Sequence, residues 1–335
     1  MLDLPPLSVV IPVFNEPVWI RRSIDALFAA SSCAGWRLDV VVVDDGSTDD
    51  TGKVLAELVE QHGIRVITQV NSGRFAARQR GMAEVTGDFL LLLDSRVILH
   101  SEALRFLGAQ LAEHPDRLVW NGHINVDAAG NPYAAFWAAL EKIGWRRYLA
   151  KPRLMSYGLD EFDAFPKGTG MFCGPADLLR AATQHFETLY DDVKFASDDT
   201  GMLRWIAGQQ RFHIAPEFNA IYHGRDSFKK FVKHCNFRGT TFVDSYLGHA
   251  GPVRTVLIAA ILLGFGWLAV LVLWPLVAIS LVLLGLLGAG ALVRRCGASW
   301  AEVRATVWLA PIFAASFGAG VLRGLWLAGK ARLSR

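Results

Sequence analysis

Runs of consecutive apolar residues, each ending in polar turn chemistry, set the pattern of the first hundred positions. Leu7–Phe14, Leu38–Val43 and Phe89–Leu93 are apolar almost throughout, as in strands buried on both faces. Arg65–Gln69 reads as a shorter strand. Between them, Pro17–Ala30, Thr51–His62 and Arg74–Val85 carry helical periodicity. Strands alternating with helices predict an α/β domain on a doubly wound, mostly parallel sheet. Right-handed crossovers put the ends of the first, second and fourth strands on one rim, where open α/β sheets bind ligands. Beyond Val119 the pattern is less regular. Asp127–Pro132 reads as a turn, expected in a hairpin, and Ala135–Tyr148 as a helix. Phe165–Phe172 is punctuated by glycine, and Thr200–Ala207 is helical.

Near residue 250 the pattern changes. Thr255–Val293 is uncharged over 39 residues, room for two spans at about 20 residues each. Trp274-Pro275 marks the turn between them. Arg254 on one flank and Arg294-Arg295 on the other place both flanks on the cytoplasmic side. A third apolar stretch, Ala305–Leu322, contains Pro311. It reads as re-entrant or interfacial, because a third span, which stands as the alternative, would put Lys330, Arg332 and Arg335 outside. The expected division is a catalytic domain at 1–250 and a membrane region at 251–335, with helices at 255–273 and 275–293 and a further segment at 305–327.

Composition adds constraints. The net charge of +3 implies no nucleic-acid partner. Cys33, Cys173, Cys235 and Cys296 have no metal-ligand spacing and read as reduced thiols. Met1–Pro6 lacks the basic region and apolar core of a signal peptide, so the catalytic part is expected in the cytoplasm.

The chemistry gathers at the strand ends: Asn15-Glu16, Asp44-Asp45-Gly46-Ser47-Thr48 and Asp94-Ser95-Arg96. One acidic strand end is ordinary turn chemistry, with Asp49 or Asp50 capping the next helix. Three on one rim make a candidate site. Clustered carboxylates repel one another unless something offsets them. The candidates are a metal, nearby arginines such as Arg74, Arg78 and Arg80, or the hydroxyl donors of a ribose and a sugar. No GxGxxG follows the first strand, which argues against a dinucleotide site.

Val10–Glu16, Asp44–Asp49, Gly73–Gly81, Asp94-Ser95-Arg96 and Ser197-Asp198-Asp199 followed by Met202-Leu203 together resemble the motifs of family 2 glycosyltransferases, over about Leu7–Leu247. The resemblance implies a GT-A fold and sugar transfer from a nucleotide-diphosphate donor with inversion. It implies donor contacts from Pro12, Phe14, Glu16, Asp44, Asp45, Arg78, Asp94, Ser95, Arg96 and, in Phe237-Arg238-Gly239, Arg238. Gly168, Thr169 and Gly170 would face the acceptor. Asp199 would be the base, with Asp198 as the alternate. Reaction chemistry agrees: inversion needs a carboxylate to take the acceptor's proton opposite the leaving group, and positive charge on the departing diphosphate.

Arg96 departs from the family pattern, since an aspartate there usually holds the metal. Either Arg96 pairs with the diphosphate and lessens the need for Mn²⁺ or Mg²⁺, or the metal is held by Asp45 or Asp94 with His223. Lys229, Lys230 and Lys233 are expected at anionic lipid headgroups. The expected protein is a multi-pass plasma-membrane glycosyltransferase with a cytoplasmic catalytic domain, acting on a lipid-linked or cell-envelope glycan. The alternatives are transfer to polyprenyl phosphate itself and a non-catalytic scaffold on a degenerate fold.

Overall fold

The computed structural model describes residues 5–197 and 199–334. The elements are β1 (Leu7–Val13), α1 (Pro17–Ala34), β2 (Leu38–Asp44), α2 (Thr51–His62), β3 (Arg65–Thr68), α3 (Arg74–Glu84), β4 (Phe89–Leu93), β5 (Val97–Leu99), α4 (Ala103–Glu113), β6 (Val119–Asn121) and β7 (His123–Val126). There follow α5 (Pro132–Gly144), α6 (Arg146–Leu149), β8 (Met155–Tyr157), β9 (Met171–Pro175), α7 (Ala176–Gln184), α8 (Thr200–Gln209), β10 (Phe212–Ile214), β11 (Asn219–Tyr222) and α9 (Phe228–Tyr246). Three long apolar helices close the chain: α10 (Pro252–Leu273), α11 (Pro275–Arg295) and α12 (Trp300–Leu333).

The main sheet has the order β3-β2-β1-β4-β9-β6-β10-β8. β1, β2, β3, β4, β6 and β10 run one way, and β8 and β9 the other. The sheet is therefore mostly parallel, as the alternation of strands and helices predicts. β1 and β2 are in register from Leu7↔Leu38 to Val13↔Asp44, which puts the exits of both strands on one rim. β4 runs parallel to β1 on its other side and ends on the same rim. Val9, Ile11, Val42 and Leu91 are fully buried in one core with Ile20, Ile24 and Leu27 of α1. That double burial explains the unbroken apolar runs. A smaller sheet, β5-β11-β7, carries Arg96, His223 and Asp127 at its strand ends.

The turn at Asp127–Pro132 does not close a hairpin. It leads from β7 into α5, where the Asn131 side chain accepts from the backbone N–H groups of Tyr133 and Ala134 and Pro132 opens the first turn. An Asn cap followed by proline starts a helix as readily as it makes a turn.

The chain forms two compact units. One comprises 1–127, 151–187 and 198–223 and holds both sheets. The other comprises 128–150, 188–197 and 224–335, so α5 and α9, expected with the catalytic domain, cluster with the apolar helices. Within it, α9 and α12 cross closely: a Cβ on Gly239 would collide with the Phe317 carbonyl, and one on Gly320 with the Asn236 carbonyl. α10, α11 and α12 are each long and apolar enough to cross a membrane. Leu263, Val272, Leu276 and Leu287 of α10 and α11 are exposed.

Candidate active site

The rim is assembled by hydrogen bonds between the β1 and β2 exits. Asn15 adopts a left-handed backbone (φ 54°). Its N–H donates to Ser47 Oγ at 2.9 Å, and its Oδ1 accepts from Thr48 N–H at 2.8 Å. Asp44 Oδ1 accepts from Ser47 N–H at 2.9 Å, and Glu16 N–H donates to Thr51 Oγ1 at 3.0 Å. Asp45 faces the other way. Its carboxylate takes Gln69 Nε2 at 2.8 Å and the N–H groups of Ser72 at 2.8 Å and Gly73 at 2.9 Å, holding the loop ahead of α3. That loop passes so close that a Cβ on Gly46 (φ 76°) would lie 2.9 Å from Asn71 N. At the start of α2 the N-cap residue Asp50 makes no side-chain cap, while Asp49 Oδ1 accepts from Thr51 N–H at 3.0 Å. Pro12 is buried in β1 and Phe14 is exposed beside the rim.

Asp94 follows β4 at the same rim. β4 pairs antiparallel with β9 at Leu93↔Met171, so Asp94 falls opposite Gly170 and its N–H donates to the Gly170 carbonyl at 2.9 Å. Buried Arg78 of α3 donates to Asp94 Oδ1 at 2.6 Å. The second oxygen, Oδ2, would lie 3.5 Å from a Cβ on Gly170. Asp199 immediately precedes α8, yet its side chain does not cap the helix. Its Oδ2 would lie 3.8 Å from a Cβ on Gly168. The three-residue segment Gly168-Thr169-Gly170 thus lies against both carboxylates, with Thr169 buried between two residues that place no side chain there. Asp198 lies outside the described residues.

A charged group supports this segment. Lys167 Nζ donates to the Phe162 carbonyl at 2.9 Å and lies 3.4 Å from Asp163, which also receives Arg204 of α8 at 3.1 Å. Both cations stack on the Phe162 ring, at 4.6 and 4.9 Å. Burial pushes Lys167 down to about 8, with Asp163 pulling it back up. Asp199 acts on it in the same upward sense. Sequence patterns did not single out this group, although its position next to Gly168 is a signal that could have.

Arg96 is buried. Its Nε donates to Glu16 Oε1 at 2.8 Å, one of its terminal nitrogens donates to the His223 carbonyl at 2.9 Å, and its plane lies 5.3 Å from the Trp19 ring. His223 stacks on Trp19 at 4.4 Å and contacts Asp127 at 3.1 Å. Burial lowers the His223 pKa, and Asp127 opposes that shift. Ser95 is buried at the strand end. Arg238 is exposed on α9, where its charge acts on Glu141 of α5, whose carboxyl burial pushes up to about 7.

Asp45 or Asp94 with His223 was the expected metal set, and each of the three has other partners here. Asp45 is enclosed by loop donors, Asp94 is paired with Arg78, and His223 is paired with Asp127. Among the described residues no three histidine, cysteine or carboxylate side chains are grouped to hold an ion.

Residues 8–180, more than half of the chain, match the family model described as Glycosyl transferase family 2. An undecaprenyl-phosphate 4-deoxy-4-formamido-L-arabinose transferase of Klebsiella pneumoniae is 36% identical over 101 residues, covering 28% of this chain and 31% of the relative. The glycosyltransferase GlyG of Streptococcus pneumoniae is 27% identical over 130 residues, covering 38% and 42%. The chain therefore spans less than half the length of these curated relatives. A mannosyltransferase from Pyrobaculum calidifontis, solved in complex with GDP-Man and Mn²⁺, superposes with a TM-score of 0.54 at 16% identity, over 97% of this chain and 90% of that one. That likeness concerns the fold, which is of the GT-A type.

Proposed function

The chain belongs to glycosyl transferase family 2, and from that membership we propose that it transfers a sugar, with inversion, from a nucleoside-diphosphate donor to a lipid-linked acceptor at the cytoplasmic face of a membrane. It is a glycosyltransferase with three C-terminal helices suited to membrane anchoring. The observation that carries the finer reading is the placement of Asp94 and Asp199 against the two ends of Gly168-Thr169-Gly170. One carboxylate lies on the rim of the parallel strands, where a donor would sit. The other is poised beside the glycine segment, where an acceptor would enter.

In this scheme the donor's nucleoside lies over the exits of β1 and β2, near Pro12, Phe14, Glu16, Asp44 and Asp45. Asp94, Ser95 and Arg78 hold the sugar-diphosphate end. Arg96 adds fixed positive charge while remaining bound to Glu16. The acceptor oxygen attacks the anomeric carbon from the side of Gly168-Thr169-Gly170. Its proton passes to Asp199, and the anomeric C–O bond breaks with its electron pair leaving on the nucleoside diphosphate.

Replacing Asp199 by Asn keeps the shape and removes the proton acceptor. Turnover should fall by about 10²–10⁴-fold with donor affinity little changed. Near-normal turnover in Asp199→Asn would reject Asp199 as the base. If Asp198→Asn were then inactive, the role would move to Asp198.

The acceptor has two candidate forms. The relative from Klebsiella pneumoniae is described as an undecaprenyl-phosphate transferase, which favours polyprenyl phosphate. The alternative is a lipid-linked or cell-envelope glycan. The mass of the lipid product separates them: one sugar on a monophosphate, or an extended glycan. A non-catalytic scaffold would leave the donor intact.

A further inference from the structure

Gly168 and the Asp199 carboxylate are brought together by two arms of the sheet unit. One arm is the chain from Phe162 to Lys167, which runs directly into Gly168. The main sheet anchors it from behind. Tyr157 of β8 stacks on Phe165, with ring centroids 4.5 Å apart, and its hydroxyl donates to the Pro166 carbonyl at 2.7 Å. Phe162 packs edge-on against Phe212 of β10 at 6.3 Å. The other arm is α8. The Asp199 carbonyl accepts from Leu203 N–H at 2.9 Å, and Thr200 Oγ1 donates to Asp199 Oδ1 at 3.1 Å, so Asp199 is tied to the first turn of that helix. Arg204 follows Thr200 by four residues and lies on the same face of α8.

Asp163 joins the arms. Its Oδ1 accepts from Arg204 at 3.1 Å and lies 3.4 Å from Lys167 Nζ, and both cations face the buried Phe162 ring. With 8% of its side chain exposed, Lys167 is enclosed in the clasp and does not reach outward to a ligand. An apolar staple of similar volume would hold the arms at least as stably, since charges removed from water lose their hydration. A charged clasp instead fixes one geometry. We propose that Asp163 is a positioning residue for the transfer reaction: by gripping Lys167 and Arg204 together, it sets the gap between Gly168 and the Asp199 carboxylate in which the acceptor oxygen gives up its proton. The proposal rests on the reading of Asp199 as the base and of Gly168-Thr169-Gly170 as the acceptor side. A Cβ on Gly168 would lie 3.8 Å from Asp199 Oδ2, so a small shift of either arm changes that gap. Placing a reacting group wrongly by about 1 Å can cost about 10²-fold in rate.

The test uses full-length protein in lipid nanodiscs with undecaprenyl phosphate, and UDP-glucose, UDP-N-acetylglucosamine or GDP-mannose as donor. The variants are Asp163→Asn, Arg204→Met, Arg204→Lys, Asp199→Asn and the double variant Asp163→Asn/Asp199→Asn. Asp163→Asn keeps the shape and removes the charge that both cations share. We expect kcat to fall by about 10²-fold in Asp163→Asn, with donor KM and melting temperature close to wild type. Arg204→Met should give a similar drop, and Arg204→Lys, which keeps a cation, should recover most of it. Backbone hydrogen exchange in Asp163→Asn should quicken together at the start of β9 and in the first turn of α8. The double variant should be no slower than Asp199→Asn alone, because Asp163 acts through that residue. Glu161→Gln is the control. It lies in the same turn but pairs with Arg211 outside the clasp, and it should keep the wild-type kcat.

Asp163→Asn with wild-type kcat, or with unchanged exchange in β9 and α8, overturns the proposal even if Asp199→Asn is inactive. A donor KM and melting temperature that shift together with kcat also overturn it, by showing general destabilisation. A double variant slower than Asp199→Asn overturns it too, by showing that Asp163 acts elsewhere. Should Asp163→Asn fail to fold, the Arg204 variants decide, and wild-type kcat in Arg204→Met rejects the clasp. Near-normal turnover in Asp199→Asn rejects the base reading instead, and the exchange measurement then still reports separately whether Asp163 joins the two arms.

Discussion

Arg96 and Glu16 are buried together, and neither can lose the other cheaply. Truncating one member of a buried ion pair strands the remaining charge and costs about 3–5 kcal/mol. Arg96→Ala should therefore lower the melting temperature of the purified protein strongly, and adding Glu16→Gln should recover part of the loss. A loss in the double variant equal to the sum of the Arg96→Ala and Glu16→Gln losses would show that the pair is not coupled. The same burial bears on metal use. Arg96 already supplies positive charge where a carboxylate was expected, so Mn²⁺ or Mg²⁺ should raise the rate without being required. Initial rates with each ion and with EDTA check this, and complete loss of activity in EDTA would count against it. Lys167 has its own signature. Its pKa is pushed from 10.5 to about 8 in the folded protein. Between those pH values the unfolded chain binds a proton that the folded chain does not, so this residue's contribution to stability rises with pH across that window. The stability difference between wild type and Lys167→Met should grow in favour of wild type from about pH 8 to 10.5; a flat difference would contradict it. The acidic residues were legible in the sequence because each ends an apolar run. The division of labour among them was not. Asp45 holds a loop that lies 24 to 28 residues further along the chain, a partner that no local pattern reveals. Trp19 and Asp127 were missed because their common neighbour, His223, comes from the other end of the sheet unit.

At the scale of elements, strands and helices up to β4 follow the hydrophobic pattern closely, since each is buried on a face that its own period announces. The pattern fails where a cap and a turn share the same residues, as at Asn131-Pro132, which starts α5 instead of closing a hairpin. It is also silent on pairing across long separations, and β9 enters the sheet antiparallel beside β4 with no local mark of doing so. The contact between α9 and α12 is a third case. Gly239 and Gly320 look like ordinary glycines of apolar segments, yet each allows the other helix's backbone to approach where no side chain fits. Overpacking a closed contact costs about 1–3 kcal/mol and sometimes more. Gly320→Val should lower the melting temperature and reduce the yield of monodisperse protein. Gly288→Ala on α11, where a Cβ meets nothing within 4 Å, is the control and should be neutral. Similar melting temperatures for both variants would mean that the α9–α12 crossing adjusts freely.

Over the whole molecule, length and packing decide how the three apolar helices meet a membrane. α10 and α11, of 22 and 21 residues, are each about 30 Å long, matching the hydrocarbon thickness. Their exposed leucines and the turn at Trp274-Pro275 suit a spanning hairpin. α12 has 34 residues and extends about 51 Å. Near its start, Glu302 pairs with Lys142 of α5 at 2.7 Å. Near its end, Arg323 stacks on Phe195 at 4.2 Å and Ser334 donates to Asp191 at 3.3 Å. Between those points it packs along α9, which carries Lys229, Lys230, Lys233, Arg238 and Asp244. For α12 to cross the bilayer, those charged partners would have to enter the hydrocarbon, at roughly 2.5–3.5 kcal/mol for each residue at the centre. We therefore expect α12 to lie in the interface, with its outward Trp300, Trp308 and Trp326 at the headgroups. Cysteines introduced singly at Gly251, Trp274 and Ser334, with the four native cysteines replaced, make the test by labelling with a membrane-impermeant maleimide. Gly251→Cys and Ser334→Cys should react from the same side, and Trp274→Cys from the opposite side. Labelling of Ser334→Cys together with Trp274→Cys would establish a third span, and the polar contacts along α12 would then have to form inside the bilayer.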